Sequence, residues 1–462
     1  MYMAKTIVPV KLHQTLEVDI VDTTIGGMGI AQITPTYPLY LADAIPGERV
    51  LVEVIQVDKL SGYGRIIERV KISSQRIDAQ RQYLIDAGTA PLVNFSYTAQ
   101  LEWKRQKVQT LFEKANINVN VAETVGMAQP SYYRNKTIVP TKWQNQQLQT
   151  GFFKRGTHEL VPMTDYFVND RKIDEAIVIV RNVLENYQIS AFDPDTQEGA
   201  IRYIMVRRGY YSHELMVVLV SNQAELVHEQ QIIRDLQEQL PELKSLIFNY
   251  SPKKDYVLLS PHNRTLWGEA AIHDTLLGLD FIIGPNSFYQ VNPIMTEKLY
   301  TLAAQKAQLK PTDIVIDAYS GIGTIGISVA NKVKQVLGVE VVAGAVADAQ
   351  LNVDTNHIDN ATFLLNDAPE QMALWQEQGI KPDVIFVDPP RRGLTKSLID
   401  SVADMAPKRF VYISCNPVTL VRDTAEILTK GYHIEGDVQT VDQFPQTSHI
   451  ETIVVFTRHH ES

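Results

Sequence analysis

Hydrophobic and polar positions follow three different rhythms along this chain. Over residues 1–75 short alternating runs dominate, at 16–21, 50–57 and 64–72, separated by Gly26-Gly27-Met28-Gly29, Pro46-Gly47 and Ser61-Gly62. Short strands at this spacing predict a small β-barrel of the OB type. Over 97–115 the period becomes helical. Leu101, Val108, Leu111, Phe112 and Ala115 fall on one side, and Lys104, Arg105 and Lys107 are expected elsewhere on the surface. Residues 170–283 mix paired strand runs, at 199–208 and 214–220, with a helical run at 223–240 ended by Pro241, an α+β layer.

From Lys310 onward the rhythm is strictly alternating. Strands are predicted at 314–317, 336–340, 362–365, 384–387 and 410–414, with helices near 324–330, 343–352, 371–376, 395–405 and 418–428. That pattern predicts a doubly wound parallel sheet, an α/β Rossmann-like unit. Two further β-rich runs, 433–441 and 451–457, predict an antiparallel terminal hairpin. The division expected is therefore a barrel at 1–75, a central α+β domain at 76–283 and a Rossmann-like domain at 284–462. The helix at 97–115 is a candidate to pack on the last of these.

Composition narrows the class. A chain of 462 residues, 45% hydrophobic and 21% charged, is too long for one core. It has no run long enough to span a bilayer, and Met1-Tyr2-Met3-Ala4-Lys5 lacks the apolar stretch of a signal peptide, so a cytoplasmic protein is expected. One cysteine excludes an internal disulfide framework and any multi-cysteine metal site. The net charge of −10 argues against a protein that coats polyanions along its whole surface. A local basic stretch remains: residues 100–160 hold nine Lys/Arg against four Asp/Glu, interleaved with Trp103, Tyr132, Tyr133, Trp143, Phe152 and Phe153. Basic residues with aromatics suit RNA, and a solvated helix face with core aromatics is the plainer alternative.

Candidate chemistry gathers at predicted strand ends. The first parallel strand runs into Asp317-Ala318-Tyr319-Ser320-Gly321-Ile322-Gly323-Thr324-Ile325-Gly326. Glycines there keep the turn tight and let a ligand approach the backbone. Glu340 ends the second strand, where a carboxylate can hold ribose hydroxyls. NAD and S-adenosylmethionine sites share this geometry; Asp317, with Tyr319 close behind it, leans toward S-adenosylmethionine. Asp367 follows the third strand, placed to reach an adenine or else a plain surface-turn aspartate. Asp388 ends the fourth strand in Asp388-Pro389-Pro390 and Cys415 ends the fifth in Ser414-Cys415-Asn416-Pro417. A helix starting near Val418 would favour a thiolate at Cys415. Glu451 opens the last strand, as a third site carboxylate or an edge-strand charge.

Together Asp388-Pro389-Pro390-Arg391-Arg392-Gly393, Ser414-Cys415-Asn416-Pro417 and His449-Ile450-Glu451 resemble the RNA uracil-5-methyltransferase family. Ser287-Phe288-Tyr289-Gln290-Val291-Asn292, Asp317 to Gly321 and Gly338-Val339-Glu340 match it too, and the first 75 residues resemble a TRAM domain. The resemblance implies an S-adenosylmethionine-dependent enzyme that methylates C5 of uridine. Cys415 is then the nucleophile, Glu451 the proton acceptor and Asp388 the group that orients the uracil. Gln290, Tyr319, Glu340 and Asp367 line the cofactor site, with Asp388 at its border.

Many relatives carry four cysteines for an iron–sulfur cluster. Here residues 81–90 and the region near Tyr166 have none, so no cluster and no metal are expected, their place being filled by packing. RNA is the expected partner, 23S ribosomal RNA first and transfer RNA second, with no membrane and a monomeric state. An NAD-dependent oxidoreductase and a non-catalytic RNA-binding assembly factor are the competing readings. The first leaves Asp388-Pro389-Pro390 and Cys415 unexplained.

Overall fold

The computed structural model describes residues 8–252 and 258–458; the N-terminal stretch read for a leader lies outside them. Thr15–Thr23, Gly29–Thr34, Tyr37–Leu41, Arg49–Val57 and Gly62–Lys71 close into a five-stranded barrel, in the order first, second, third, fifth, fourth. Alternation explains the closure. Val50, Val52 and Val54 point inward with Leu39, Leu41 and Ile20, all fully or almost fully buried, while their neighbours face out. Residues 39–41 pair in parallel with residues 62–64, which seals the ring.

A seven-stranded sheet forms the middle of the molecule. Its order is Asn263–Gly268, Leu243–Tyr250, Leu215–Ser221, Ile201–Arg208, Lys136–Gln144, Gln147–Phe153, Leu160–Pro162. The predicted pair at 199–208 and 214–220 is antiparallel neighbours in it. Helix Arg171–Asn186, capped by Asp170 on the Lys172 amide, packs on this sheet beside helix Glu229–Gln239. The helical run predicted from 223 begins only at Glu229, because His228 takes a φ of 60° and breaks the turn before it.

The last part is an eight-stranded sheet ordered Ala361–Leu365, Gln335–Glu340, Ile314–Ala318, Val384–Val387, Arg409–Ser414, Glu451–Arg458, Tyr432–Ile434, with Gln439–Val441 also paired to Glu451–Arg458. The first five of these are parallel. The closing runs pair antiparallel as expected, with the first run divided into two pieces. The stretch at 433–441 splits at Gly436, with φ 68°, into two short strands. The final strand is inserted antiparallel between Arg409–Ser414 and Tyr432–Ile434.

Two segments from earlier in the chain belong to this sheet by packing. The hairpin Ile272–Leu276/Leu279–Ile283 docks on helix Ala343–Thr355, where the Ile282 amide donates to Asn352 Oδ1 at 2.8 Å. Helix Tyr97–Lys114 lies against helix Pro417–Thr429 and strand Gln439–Val441. Its buried residues are Gln100, Lys104, Val108 and Phe112, one per turn. Lys104 is thus not on the surface as its charge suggested. It is fully buried, 2.5 Å from Asp442, and it donates a second bond to Phe444 O.

Candidate active site

The parallel strands set the geometry. Residues 315–318 sit beside 384–387, and 384–387 beside 409–412, so the loops after Ala318, Val387 and Ser414 emerge side by side. The chain reverses its winding between Ile314–Ala318 and Val384–Val387, and open α/β sheets bind ligands at such switch points. Antiparallel pairing then supplies a residue from far along the sequence. Thr452 lies opposite Ser414, which brings Glu451 next to Cys415 across the strand pair.

A cleft of about 700 Å³ covers these strand ends. Every candidate residue lines it: Gln290, Tyr319, Glu340 and Asp367 around one part, Asp388, Cys415 and Glu451 around another. The sequence also offered Arg391 and His449 within motifs, without a task; both line the cleft, with Phe288 and Tyr300 beside them. Tyr300 projects from helix Pro293–Ala307, with its hydroxyl 3.2 Å from Thr324 Oγ1. Phe288 is 67% exposed, an apolar ring standing open at the cleft.

The nucleotide-type half is built from backbone. Gly323, with φ 84°, turns the loop into helix Thr324–Val329, a conformation costly for any side chain. A Cβ on Gly338 would stand 2.1 Å from Phe363, so only glycine fits the second strand there. Glu340 accepts the Gly321 amide at 3.1 Å and the Val341 and Val342 amides at 2.8 and 2.9 Å. That fixes its carboxylate at the strand end while lone pairs remain for hydroxyl donors. Asp317 accepts the Gly326 amide at 2.7 Å through one oxygen; the other is buried with no partner. Burial, with Asp388 and Glu340 nearby, raises its pKa to about 7. Asp367 is exposed and caps no amide of helix Ala368–Glu377, which leaves its carboxylate directed to solvent or ligand.

The other half collects acids. Burial raises the carboxyls of Asp388 and Glu451 above their ordinary range, and for Glu451 the charge on Asp388 adds to it. Burial, then Glu451 and Asp388, push the Cys415 thiol up to about 12, against the pull of Arg391. The expected thiolate is therefore not held by the helix behind it. Asn416 takes the Val418 amide, Ser414 Oγ takes the Asn416 amide, and Pro417 has none to give. The free helix end that would have stabilised the anion is already satisfied. His449 is pushed down to about 4 by burial and by Arg391, Lys104 and Arg134, so the ring is neutral. Arg391 Nη2 lies 3.1 Å from His449 Nδ1.

The regions read for cluster cysteines, residues 81–90 and the neighbourhood of Tyr166, include packed side chains. Leu84, Ile85 and Ala90 are buried, and so is Tyr166, whose ring meets Phe152 edge-on at 5.7 Å. Among the described residues no helix is long and apolar enough to cross a membrane, and no group of His, Cys, Asp and Glu is placed to hold a metal ion.

A parallel sheet with an inserted antiparallel last strand, and a glycine loop beside a strand-end carboxylate at its switch point, defines a Rossmann-like methyltransferase class of protein. Comparison with known proteins agrees. The model of the tRNA (uracil-5-)-methyltransferase family matches residues 96–459. A protein of Lactiplantibacillus plantarum named an uncharacterized RNA methyltransferase is 47% identical, over 98% of this chain and 99% of its own length. One of Enterococcus faecalis with the same name is 40% identical, over 97% and 98%. The crystal structure of the Pyrococcus abyssi tRNA (uracil-54, C5)-methyltransferase with S-adenosyl-L-homocysteine superposes with a TM-score of 0.75 at 24% identity, covering 96% of this chain and all of that one. The chain belongs to the tRNA (uracil-5-)-methyltransferase family and is a methyltransferase.

Proposed function

We propose that the protein transfers a methyl group from S-adenosylmethionine to C5 of a uridine in RNA. The observation that carries this reading is the register of Ser414 with Thr452, which sets Cys415 beside Glu451 in the same cleft as Asp388 and the glycine loop. The cofactor half suits that donor. Glu340 is oriented for ribose hydroxyls and Asp367 is open toward the base. When bound, S-adenosylmethionine supplies an electrophilic methyl group on a sulfonium.

The chain's own residues do the rest. Uracil C5 is a weak nucleophile until a group adds at C6. The Cys415 thiol gives its proton to water in the open cleft and the sulfur bonds to C6, which moves the ring electrons toward C5 and O4. Asp388 orients the uracil edge. C5 takes the methyl group, Glu451 accepts the C5 proton, and the C6–S bond breaks to restore the ring double bond. The target base has to leave its stack to reach this depth. The barrel, read as a TRAM-type module, grips RNA together with the basic stretch at 100–160.

Burial pushes the Cys415 thiol up to about 12 and raises the Glu451 carboxyl, and both steps need the proton gone. Methyl transfer, measured as kcat/KM, is therefore expected to rise with pH between roughly 6 and 8. A rate that falls over that interval would sink the assignment of Cys415 as the nucleophile. Glu451→Gln is expected to stall after methyl transfer, leaving a protein–RNA adduct on a denaturing gel.

23S ribosomal RNA is our first target, in a chain acting as a cytoplasmic monomer. A second reading, transfer RNA, is favoured by the name of the family model and by the Pyrococcus abyssi neighbour. Mass mapping of 5-methyluridine in both RNA classes, from cells lacking this gene, separates them. If 5-methyluridine disappears from neither, the proposed function is wrong.

A further inference from the structure

Strand Ile201–Arg208 buries a guanidinium that no acid accompanies. Arg207 is 1% exposed, and among the described residues it forms no ion pair. Its Nε is buried without a partner. Burial lowers its pKa to about 10, which leaves it charged at neutral pH. A buried cation without an acid is costly, and a hydrophobic side chain would fill the same space at less cost. The guanidinium is aimed instead at two backbone carbonyls. Nη1 donates to Gly284 O at 2.7 Å and Nη2 to Ser287 O at 2.8 Å. The rigid fork of an arginine holds two acceptors at once in a fixed relation.

Both carbonyls belong to the loop between strand Leu279–Ile283 and helix Pro293–Ala307, and this loop delivers Phe288 and Gln290 to the catalytic cleft. Within it Ser287 Oγ takes the Gly284 amide at 3.0 Å and donates to Asp348. The far end of the loop is held from the same seven-stranded sheet. Asn135 is buried just before strand Lys136–Gln144, and its carbonyl takes the Arg208 amide at 2.9 Å. Its backbone amide donates to Val291 O at 2.8 Å and its side-chain amide to Gln290 O at 3.2 Å. Arg207 and Asn135 thus grip the loop on either side of Phe288, and neither of them lines the cleft.

We infer that Arg207 and Asn135 are positioning residues for the methyl donor: they fix the backbone at 284–291 so that Gln290 meets S-adenosylmethionine in the cleft. The central sheet is in this way part of the cofactor site without touching the cofactor. The inference rests on the proposed place of Gln290 in that site, and not on which RNA is methylated or by what route. A misplacement of about 1 Å at a positioned group costs on the order of 10²-fold in rate, so a loop released at one end should be felt in the cleft. A role in stability alone would lower the urea midpoint and leave the affinity of the folded protein for its cofactor unchanged.

The test uses the full-length protein. Calorimetric titration with S-adenosyl-L-homocysteine reads the cofactor site without turnover, and anisotropy with a fluorescein-labelled, uridine-rich RNA reads the substrate side. Arg207→Met is expected to weaken S-adenosyl-L-homocysteine binding by about tenfold or more, to raise the KM for S-adenosylmethionine more than it lowers kcat, and to keep RNA affinity. Arg207→Lys should restore part of the lost affinity, since the ammonium keeps a donor for one carbonyl. Asn135→Ala keeps its backbone bonds and loses only the one to Gln290 O, so about a fivefold loss is expected. Should Arg207→Met not fold, Asn135→Ala decides. Wild-type affinity for S-adenosyl-L-homocysteine in Asn135→Ala and in folded Arg207→Met would overturn the inference, whatever the urea midpoint. An equal loss of RNA affinity would overturn it too, as the mark of general damage. A wild type that binds S-adenosyl-L-homocysteine yet methylates no uridine would instead overturn the proposed function and leave this positioning standing.

Discussion

Replacing Cys415 by alanine is expected to lower methyl transfer by on the order of 10⁴-fold or more, with RNA and cofactor binding retained. The size follows from the chemistry, because without the sulfur at C6 the ring carbon stays a weak nucleophile. Cys415 sits in a half-buried position at the end of a strand, so the loss of one sulfur leaves little cavity and the fold should hold. The companion measurement uses RNA containing 5-fluorouridine. Fluorine cannot leave C5 as a proton does, so the wild type should accumulate a stable adduct and Cys415→Ala should form none. An alanine variant that still methylates would remove the covalent route altogether. An adduct in the alanine variant would move the nucleophile elsewhere.

Lys104→Met is expected to lower stability by about 3–5 kcal/mol, the usual penalty for stranding one member of a buried ion pair. Lys104 and Asp442 are both fully buried, 2.5 Å apart, and the Lys104 amine also holds the Phe444 carbonyl. Burial lowers the pKa of Lys104 and the Asp442 carboxylate beside it opposes that. One turn earlier, Gln100 and Gln446 exchange bonds at 3.0 and 3.1 Å. These contacts fasten the loop that carries Phe444 and His449 into the cleft. The urea midpoint, followed through tryptophan fluorescence, measures the loss, and Lys104→Met/Asp442→Asn should recover part of it. An unchanged midpoint for the single variant would show that Asp442 finds water or another donor. Activity should fall with stability, because the same loop borders Cys415.

The parallel strands and their terminal carboxylates were legible because a buried β-branched run that stops at Asp, Glu or Cys marks the point where a parallel strand reaches the crevice. Tyr319, Glu340, Asp367, Asp388 and Cys415 fall in one cleft for the same reason, and the motif residues Gln290 and Glu451 join them from outside the parallel strands. What the pattern hid depends on pairing between distant segments. The insertion of Glu451–Arg458 beside Arg409–Ser414 is a choice of neighbour, which alternation does not encode. Lys104 has the pattern of a surface charge, since burial of a lysine requires an acid, and here that acid lies 338 residues away in sequence. Tyr300 carried no signal beyond being aromatic, and Phe288 none beyond its place in the motif Ser287 to Asn292. The Cys415 thiol departs from the expected thiolate because burial, then Glu451 and Asp388, push it up, while the Ser414 and Asn416 side chains take the Asn416 and Val418 amides beside it.

The helix Tyr97–Lys114 has a consequence for how the chain is made. It leaves the ribosome early, yet the faces that cover Val108 and Phe112 belong to segments synthesised last, around Leu420 and Val438. Long-range contacts of this kind are slow to form and leave apolar surface open in the meantime. The nascent protein therefore carries an uncovered helix through most of its synthesis, and chaperone demand should track elongation beyond residue 283. A ribosome stalled there would hold a barrel and a central sheet with one helix still waiting for its partner.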